Sequence, residues 1–123
     1  MRQKKINIMY DENNIFAKIL RQEIPCKKLY EDEYSLFFHD INPKAEIHVL
    51  GIPKVKCINF FEFIKNSDEN YVIKFFQSVN KVVEKLNINE TGYTIVSNSG
   101  EDGGQEVPHF HIHILGGKKL KNL

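Results

Sequence analysis

Three histidines stand at alternate positions of one apolar run near the C-terminus, Val107-Pro108-His109-Phe110-His111-Ile112-His113-Ile114-Leu115-Gly116-Gly117. Read as a β-strand, whose side chains repeat every second residue, the run projects His109, His111 and His113 from one face and sets Phe110, Ile112 and Ile114 on the other. Neighbouring imidazoles are then roughly 6.5–7 Å apart in rise, close enough to share a proton network or to surround one small anion. Three imidazolium charges at that spacing repel, so at least one pKa is expected below the ordinary value of about 6.5. A ring that is neutral at pH 7 is what a nucleophile or general base requires. One histidine in a strand is most simply a hydrogen-bonded polar residue. Three in register would bring three desolvation costs, on the order of 1–3 kcal/mol for each group left unpaired.

The segment that leads into this run, Ser99-Gly100-Glu101-Asp102-Gly103-Gly104, carries Gly100, Gly103 and Gly104, which permit positive φ and close approach of backbone N–H groups to an anion. A hairpin connection also uses glycine, so the loop gains meaning from its adjacency to His109. Backbone donors beside neutral imidazoles suit phosphoryl or nucleotidyl chemistry. Imidazoles at alternate strand positions are also good zinc ligands, a reading against which the glycine loop argues.

The elements that must position these groups are readable in outline. Asn13 or Asn14 can cap a short amphipathic helix through Ile15, Phe16, Ile19 and Leu20, stopped before Pro25. Leu29 to Tyr30 and Ser35 to Phe38 read as a hairpin joined through Glu31-Asp32-Glu33, and Asn42-Pro43 breaks the run. Ile47 to Ile52 is the next strand, ends at Pro53 and carries His48. Cys57 to Ile64 reads as a short helix. Asn66-Ser67-Asp68-Glu69 offers N-cap candidates and first-turn acids, with Asn66 and Glu69 spaced as in a capping box, and opens a longer one with Val72, Phe75, Phe76, Val79, Val82, Val83 and Leu86 on a single face. Gly92 to Asn98 alternates as a strand before the glycine loop. The expected fold is α+β, an antiparallel sheet of about five strands with two main helices.

The chain has 123 residues, 41% of them hydrophobic and 27% charged, with a formal net charge of +1. That suits one domain with its own core and a small ligand, and gives no sign of a nucleic-acid-binding surface. Cys26 and Cys57 are far apart and form no C-x-x-C pair, which fits reduced thiols in a cytoplasm. Arg2, Lys4 and Lys5 precede an apolar stretch of only Ile6 to Tyr10, too short for a signal-peptide core or a membrane span. Lys118, Lys119 and Lys121 read most simply as solvated, with attraction of a phosphate as the second reading.

At this point the sequence resembles the histidine triad (HIT) family, whose pattern His-φ-His-φ-His-φ-φ matches His109 to Leu115, and most closely its nucleotide-binding branch. Asn14 to Pro25 (NIFAKILRQEIP), Phe38 to Pro43 (FHDINP), His48 to Pro53 (HVLGIP) and Gly92 to Gly117, with Asp102-Gly103-Gly104-Gln105, look like segments of that branch in the same order. The resemblance implies a 1–12 extension followed by a single HIT domain over 13–123, and a homodimer with a continuous sheet. It implies a hydrolase that cleaves purine nucleoside phosphoramidates or adenylates, conjugates of AMP or GMP, to a nucleoside monophosphate. Carried over, His111 is the nucleophile that forms a covalent nucleotidyl-histidine. His109 and His48 orient and polarise it, and His113 contacts the phosphate and helps to protonate the leaving group. Phe16, Ile19, Ile24, Phe38 and Ile41 surround the base, and Asp40 meets the ribose hydroxyls, although these apolar residues also suit a core and Asp40 also suits a turn. Asn98, Gly104, Gln105 and the backbone near Glu106 and Val107 meet the phosphate.

Three departures qualify the resemblance. Glu106 stands where well-known members have serine, Lys56 replaces a histidine of some relatives, and the N-terminal cysteine pair that binds zinc in others is missing. No structural zinc is therefore expected, and the chain as a whole carries no expectation of a cofactor, nucleic acid or membrane. The tail ends at Leu123, short of those that reach a partner subunit. The same nucleophile would also serve a dinucleoside polyphosphate hydrolase, and Glu106 motivates a third reading, a nucleotide-binding or scaffolding protein with little catalysis.

Overall fold

The computed structural model describes residues 9–120; the basic residues Arg2, Lys4 and Lys5, most of the 1–12 extension, and Lys121 lie outside them. In chain order the elements are α1 (Ile15–Leu20), β1 (Lys28–Glu31), β2 (Ser35–His39), β3 (Ile47–Pro53), α2 (Phe60–Asn66), α3 (Glu69–Leu86), β4 (Tyr93–Val96) and β5 (Ile112–Gly116). The five strands form one antiparallel sheet in the order β1-β2-β3-β5-β4, as the α+β expectation requires. The chain leaves β3, runs through both longer helices, lays down β4 at the edge, and returns as β5 into the interior. That return inserts the end of the histidine run between two strands, where His113 faces Leu50 of β3 and Val96 of β4.

Period-two alternation gives each face of the sheet its own core. On one face Phe37, Val49, Phe110, Ile112 and Ile114 pack against Phe63 of α2 and Phe75, Val79, Val82 and Val83 of α3. On the other, Leu36, Phe38, Leu50 and Ile52 pack against Phe16 and Ile19 of α1. The first core anchors the histidine run, since Phe63 stacks on Phe110 with ring centroids 4.9 Å apart. Each such aromatic, fully buried, contributes about 1.5–3 kcal/mol. Phe76, grouped with the α3 stripe by its spacing, is instead partly exposed, with its ring edge-on to Phe63 and Phe75.

Local polar contacts fix the helix starts and the hairpin. Asn14 caps α1 by accepting from the Ala17 N–H at 2.9 Å. The capping box expected at Asn66 does not form, because Asn66 is the last residue of α2; Asp68 caps α3 and accepts from Tyr71 N–H at 2.9 Å. A reciprocal cap occurs at α2, where Asn59 accepts from Glu62 N–H and the Glu62 carboxylate accepts from Ile58 N–H. Asp32 gathers the Tyr30 and Ser35 hydroxyls, the Tyr34 N–H and the Ser78 hydroxyl, tying the β1–β2 turn to α3.

The histidine run departs from a full strand. Only Ile112 to Gly116 is laddered, so His109 and His111 precede β5. Pro108 has no N–H to offer, His109 N–H turns back to Val107 O at 2.9 Å, and Phe110 N–H donates to Cys57 O at 2.9 Å rather than to a strand. Alternation survives, but loop carbonyls and not sheet partners set the first two histidines.

Gly51, at the centre of β3, lies opposite Phe37, and a Cβ there would overlap the Phe37 ring. Gly51→Ala is expected to lower stability by about 1–3 kcal/mol, the cost of overpacking a filled core, read as a lower urea midpoint with an unchanged m-value. An unaltered midpoint would show that Phe37 can move aside.

Candidate active site

His48 on β3 and His113 on β5 project from the same sheet face as the small α1 core, and the segment before β5 adds His109 and His111 to it. Phe16 of α1 covers them, with its ring edge-on to His111 at 4.9 Å between centroids and to His109 at 6.5 Å. The His111 and His113 rings are 5.2 Å apart, as are those of His113 and His48. His39, the fifth histidine, sits exposed at the end of β2.

The partners of each ring determine where its proton resides. His109 Nε2 lies 2.9 Å from Pro53 O, which can only accept, so Nε2 carries the hydrogen and Nδ1 accepts from the Tyr10 hydroxyl at 2.6 Å. His48 Nδ1 accepts from Lys44 N–H at 3.0 Å, so its hydrogen is on Nε2 and points to His113 Nδ1 at 2.9 Å. His113 therefore carries its hydrogen on Nε2. His111 Nδ1 lies 2.7 Å from His109 O and must donate, which leaves a lone pair on Nε2. The four rings thus divide into two pairs. Both nitrogens of His109 and His48 are occupied, whereas His111 and His113 each keep Nε2 without a partner among the described residues. No fully buried side-chain nitrogen or oxygen among those residues lacks a partner, so both free Nε2 atoms reach solvent.

All four pKa values lie below the ordinary imidazole range. Burial is the main cause for each; it pushes His109 down to about 4 and, with the repulsion of His111 and His48 added, His113 also to about 4. His111 is lowered by burial against the opposing pull of its bond to His109 O and of the Asp40 and Glu106 carboxylates. His48 is lowered by burial although Asp40 acts in the other direction. The expected depression is present, with desolvation outweighing the charge repulsion from which it was anticipated. At neutral pH the cluster is uncharged, with an open lone pair on His111 beside an open N–H on His113.

The structure alters the expected contacts of several site residues. His48 reaches His113, not His111, and His109, 0% exposed, meets His111 through its backbone carbonyl while its ring bonds Pro53 O and Tyr10. Asp40 Oδ1 accepts from Asn42 N–H at 2.7 Å in a turn, and Oδ2 lies 3.4 Å from His48 Nε2. Asp40, His48 and His113 place ligand atoms within 4.8 Å of one another, a spacing that a metal ion would accept. The donor set does not fit one, because Lys44 N–H occupies His48 Nδ1 and the ring hydrogen then sits on the nitrogen that would face the metal.

The glycine loop holds itself together rather than presenting a ring of free donors. Gly100 N–H goes to Gln105 Oε1 at 2.9 Å, Gly104 N–H to Glu101 O at 3.0 Å and Gln105 N–H to Gly100 O at 3.0 Å. Gly104 has a φ of +76°, which only a glycine adopts without strain. Gln105 also donates to Ile58 O and Val107 O, and Asn98 donates to Gly103 O at 2.8 Å, so both amides brace the loop. Among the described residues nothing accepts from the N–H groups of Glu106 and Val107. Phe16, Ile19 and Phe38 are buried in the small core, Ile24 and Val107 flank it, and Ile41 is 82% exposed and outside it.

Tyr10 was not foreseen. Nothing in its spacing marks it, and its partner is 99 residues away. The acceptors Pro53 O and His109 O and the donor Lys44 N–H are main-chain groups that any residue type would supply, so composition carries no trace of them.

Residues 21–120 match the HIT domain. The chain is 49% identical over 111 residues to an uncharacterized 13.2 kDa HIT-like protein of Azospirillum brasilense, over 90% of this chain and 91% of that one. Among solved structures it is similar to a histidine triad protein from Clostridium difficile, with a TM-score of 0.83 at 40% identity, covering 94% of this chain and 99% of the other. It is similar also to a HIT family hydrolase from Clostridium thermocellum, with a TM-score of 0.79 at 40% identity, covering 91% and 96%. The alternating histidines, the five-strand sheet that holds them and these matches over nearly the whole length agree, and the chain belongs to the HIT family.

Proposed function

We propose that this protein hydrolyses purine nucleoside phosphoramidates or related adenylates to a nucleoside monophosphate, through a nucleotide carried covalently on His111. The supporting observation is the pair of opposite tautomers at neighbouring rings: His111 offers a lone pair at Nε2, and His113 offers a hydrogen at Nε2. In the first step His111 Nε2 bonds to the α-phosphorus while the bond from phosphorus to the leaving nitrogen breaks. The leaving group takes the His113 Nε2 hydrogen and departs as a neutral amine, and the negative charge this leaves on the His113 ring is balanced by the positive charge of nucleotidyl-His111, whose Nδ1 keeps its hydrogen. Water then attacks the phosphorus, returns a hydrogen to His113 Nε2, and breaks the phosphorus–His111 bond, releasing the monophosphate. The N–H groups of Glu106 and Val107, which have no acceptor among the described residues, are the phosphate donors in this reading, and Asp40 meets the ribose through Oδ2. Asn98, Gly104 and Gln105 support those donors by shaping the loop. Phe16, Ile19, Ile24, Phe38 and Ile41 line the base side.

The reading extends to a homodimer whose sheet continues across β4, an edge strand that exposes Tyr93 and Ile95. No helix among the described residues is long and apolar enough to cross a membrane.

Adenosine 5′-phosphoramidate is expected to yield AMP, and His111→Ala to lower kcat by at least about a thousandfold, the scale of losing a covalent nucleophile. Intact-protein mass spectrometry during turnover is expected to find one added nucleotidyl group in the wild type and none in the variant. An unchanged rate in His111→Ala would refute the assignment of the nucleophile, and a dinucleoside triphosphate assayed in parallel tests the alternative substrate by relative kcat/KM.

The histidine pKa values set the pH profile. Because the folded-state values of His111 and His113 are lowered, both rings remain neutral as pH falls through 6.5, and activity is lost only below that. The acid limb of kcat/KM is expected to have its midpoint below pH 6.5; a midpoint above pH 7 would contradict a desolvated nucleophile.

A further inference from the structure

The Tyr10 hydroxyl, 2.6 Å from His109 Nδ1, is a contact that none of the proposed chemistry uses. Tyr10 is half-buried, lies before α1, and sets its ring edge-on to that of His109 at 5.6 Å between centroids. His109 is sealed from solvent, and its Nε2–H is committed to Pro53 O. Its remaining nitrogen therefore needs a donor from within the protein, and Tyr10 is that donor. The same residue supplies the carbonyl that receives the His111 Nδ1 hydrogen at 2.7 Å. One side chain at the N-terminal side of the domain thus holds the residue whose backbone decides which nitrogen of His111 stays unprotonated.

We propose that Tyr10 is a positioning residue: its hydroxyl holds the orientation of the His109 ring, whose tautomer Pro53 O sets, and so keeps the His109 carbonyl in place to hold the His111 lone pair on Nε2, aimed at substrate. The kinetic part of this proposal rests on the reading of His111 as the nucleophile. The tautomer part stands on the hydrogen bonds alone. Loss of the hydroxyl leaves a buried ring nitrogen unpaired, and His109 can relieve this by rotating its ring off Pro53 O or by shifting to admit water to Nδ1. Either change disturbs residues 109–111, which are held otherwise by the Phe110 N–H bond to Cys57 O and the packing of Phe110. Transition-state binding suffers more than ground-state binding, since the position of one lone pair matters most when the new bond forms.

The test compares wild type, Tyr10→Phe, a site-specific 3-fluorotyrosine at position 10, and Met9→Ala as a control at a neighbouring exposed position. Two-bond proton–nitrogen NMR spectra of protein carrying 15N-histidine report each tautomer without substrate. In the wild type His109 is expected as the Nε2–H form and His111 as the Nδ1–H form. In Tyr10→Phe the His109 Nδ1 signal is expected to move toward a free, unbonded nitrogen and His111 to populate its other tautomer. With adenosine 5′-phosphoramidate, kcat is expected to fall roughly three- to tenfold with KM little changed, the size of one neutral hydrogen bond. Fluorotyrosine, a stronger donor of nearly the same shape, is expected to move the His109 Nδ1 signal in the opposite direction and to retain kcat. Met9→Ala is expected to match wild type throughout. If His109 shifts while His111 signals and kcat remain, Tyr10 is merely structural and the proposal fails; it fails equally if Tyr10→Phe alters nothing. A wild type that does not turn over the phosphoramidate would overturn the substrate reading and leave the NMR result to decide the role of Tyr10.

Discussion

Everything at the histidine cluster depends on one constraint: a buried imidazole must satisfy its ring nitrogens, and a carbonyl can only accept while an amide N–H can only donate. Pro53 O, His109 O and Lys44 N–H therefore dictate three tautomers outright, and the His48–His113 contact passes the choice to a fourth ring. Four chemically identical side chains become two that hold and two that are open. No charged partner is needed to make them differ. Burial, by disfavouring the cation, keeps all four uncharged so that these tautomers persist at neutral pH.

The sheet makes that burial tolerable. Phe110, Ile112 and Ile114 are clamped by α2 and α3 on one face, so alternation forces the intervening histidines onto the other, beneath Phe16. The late insertion of β5 between β3 and β4 brings His113 within reach of His48, 65 residues earlier in the chain. Stability and chemistry are thus supplied by opposite sides of a single strand. The two sides are coupled, because any shift of Phe110 moves the His109 carbonyl that orients His111.

The loop between β4 and β5 follows a similar economy. Its glycines, with Asn98 and Gln105, close on themselves and on Ile58 O, and the N–H groups of Glu106 and Val107, next to the histidines, have no acceptor among the described residues. The exposed Glu106 side chain raises the His111 pKa slightly against the stronger effect of burial. A carboxylate at that position therefore leaves His111 neutral while its backbone remains available to an anion.

Much of this was legible from residue order, because periodicity is a local property. The two-residue alternation of His109 to Ile114, the three- and four-residue spacing along α3 and the breaks at Pro25, Pro43 and Pro53 announce the sheet, the long helix and the shared face of the histidines. The family pattern follows from the same letters. Where local signals competed, residue order left the choice open: Asn66 and Asp68 could both cap α3, and Asn66 ends α2 while Asp68 takes the cap. Tertiary structure alone decided which histidine is paired and which is open, since that depends on main-chain groups at Lys44 and Pro53 and on a hydroxyl at Tyr10 brought in from distant parts of the chain. Backbone donors and acceptors are the same at nearly every residue, so a sequence does not record which of them meets which ring; only folding gives them addresses.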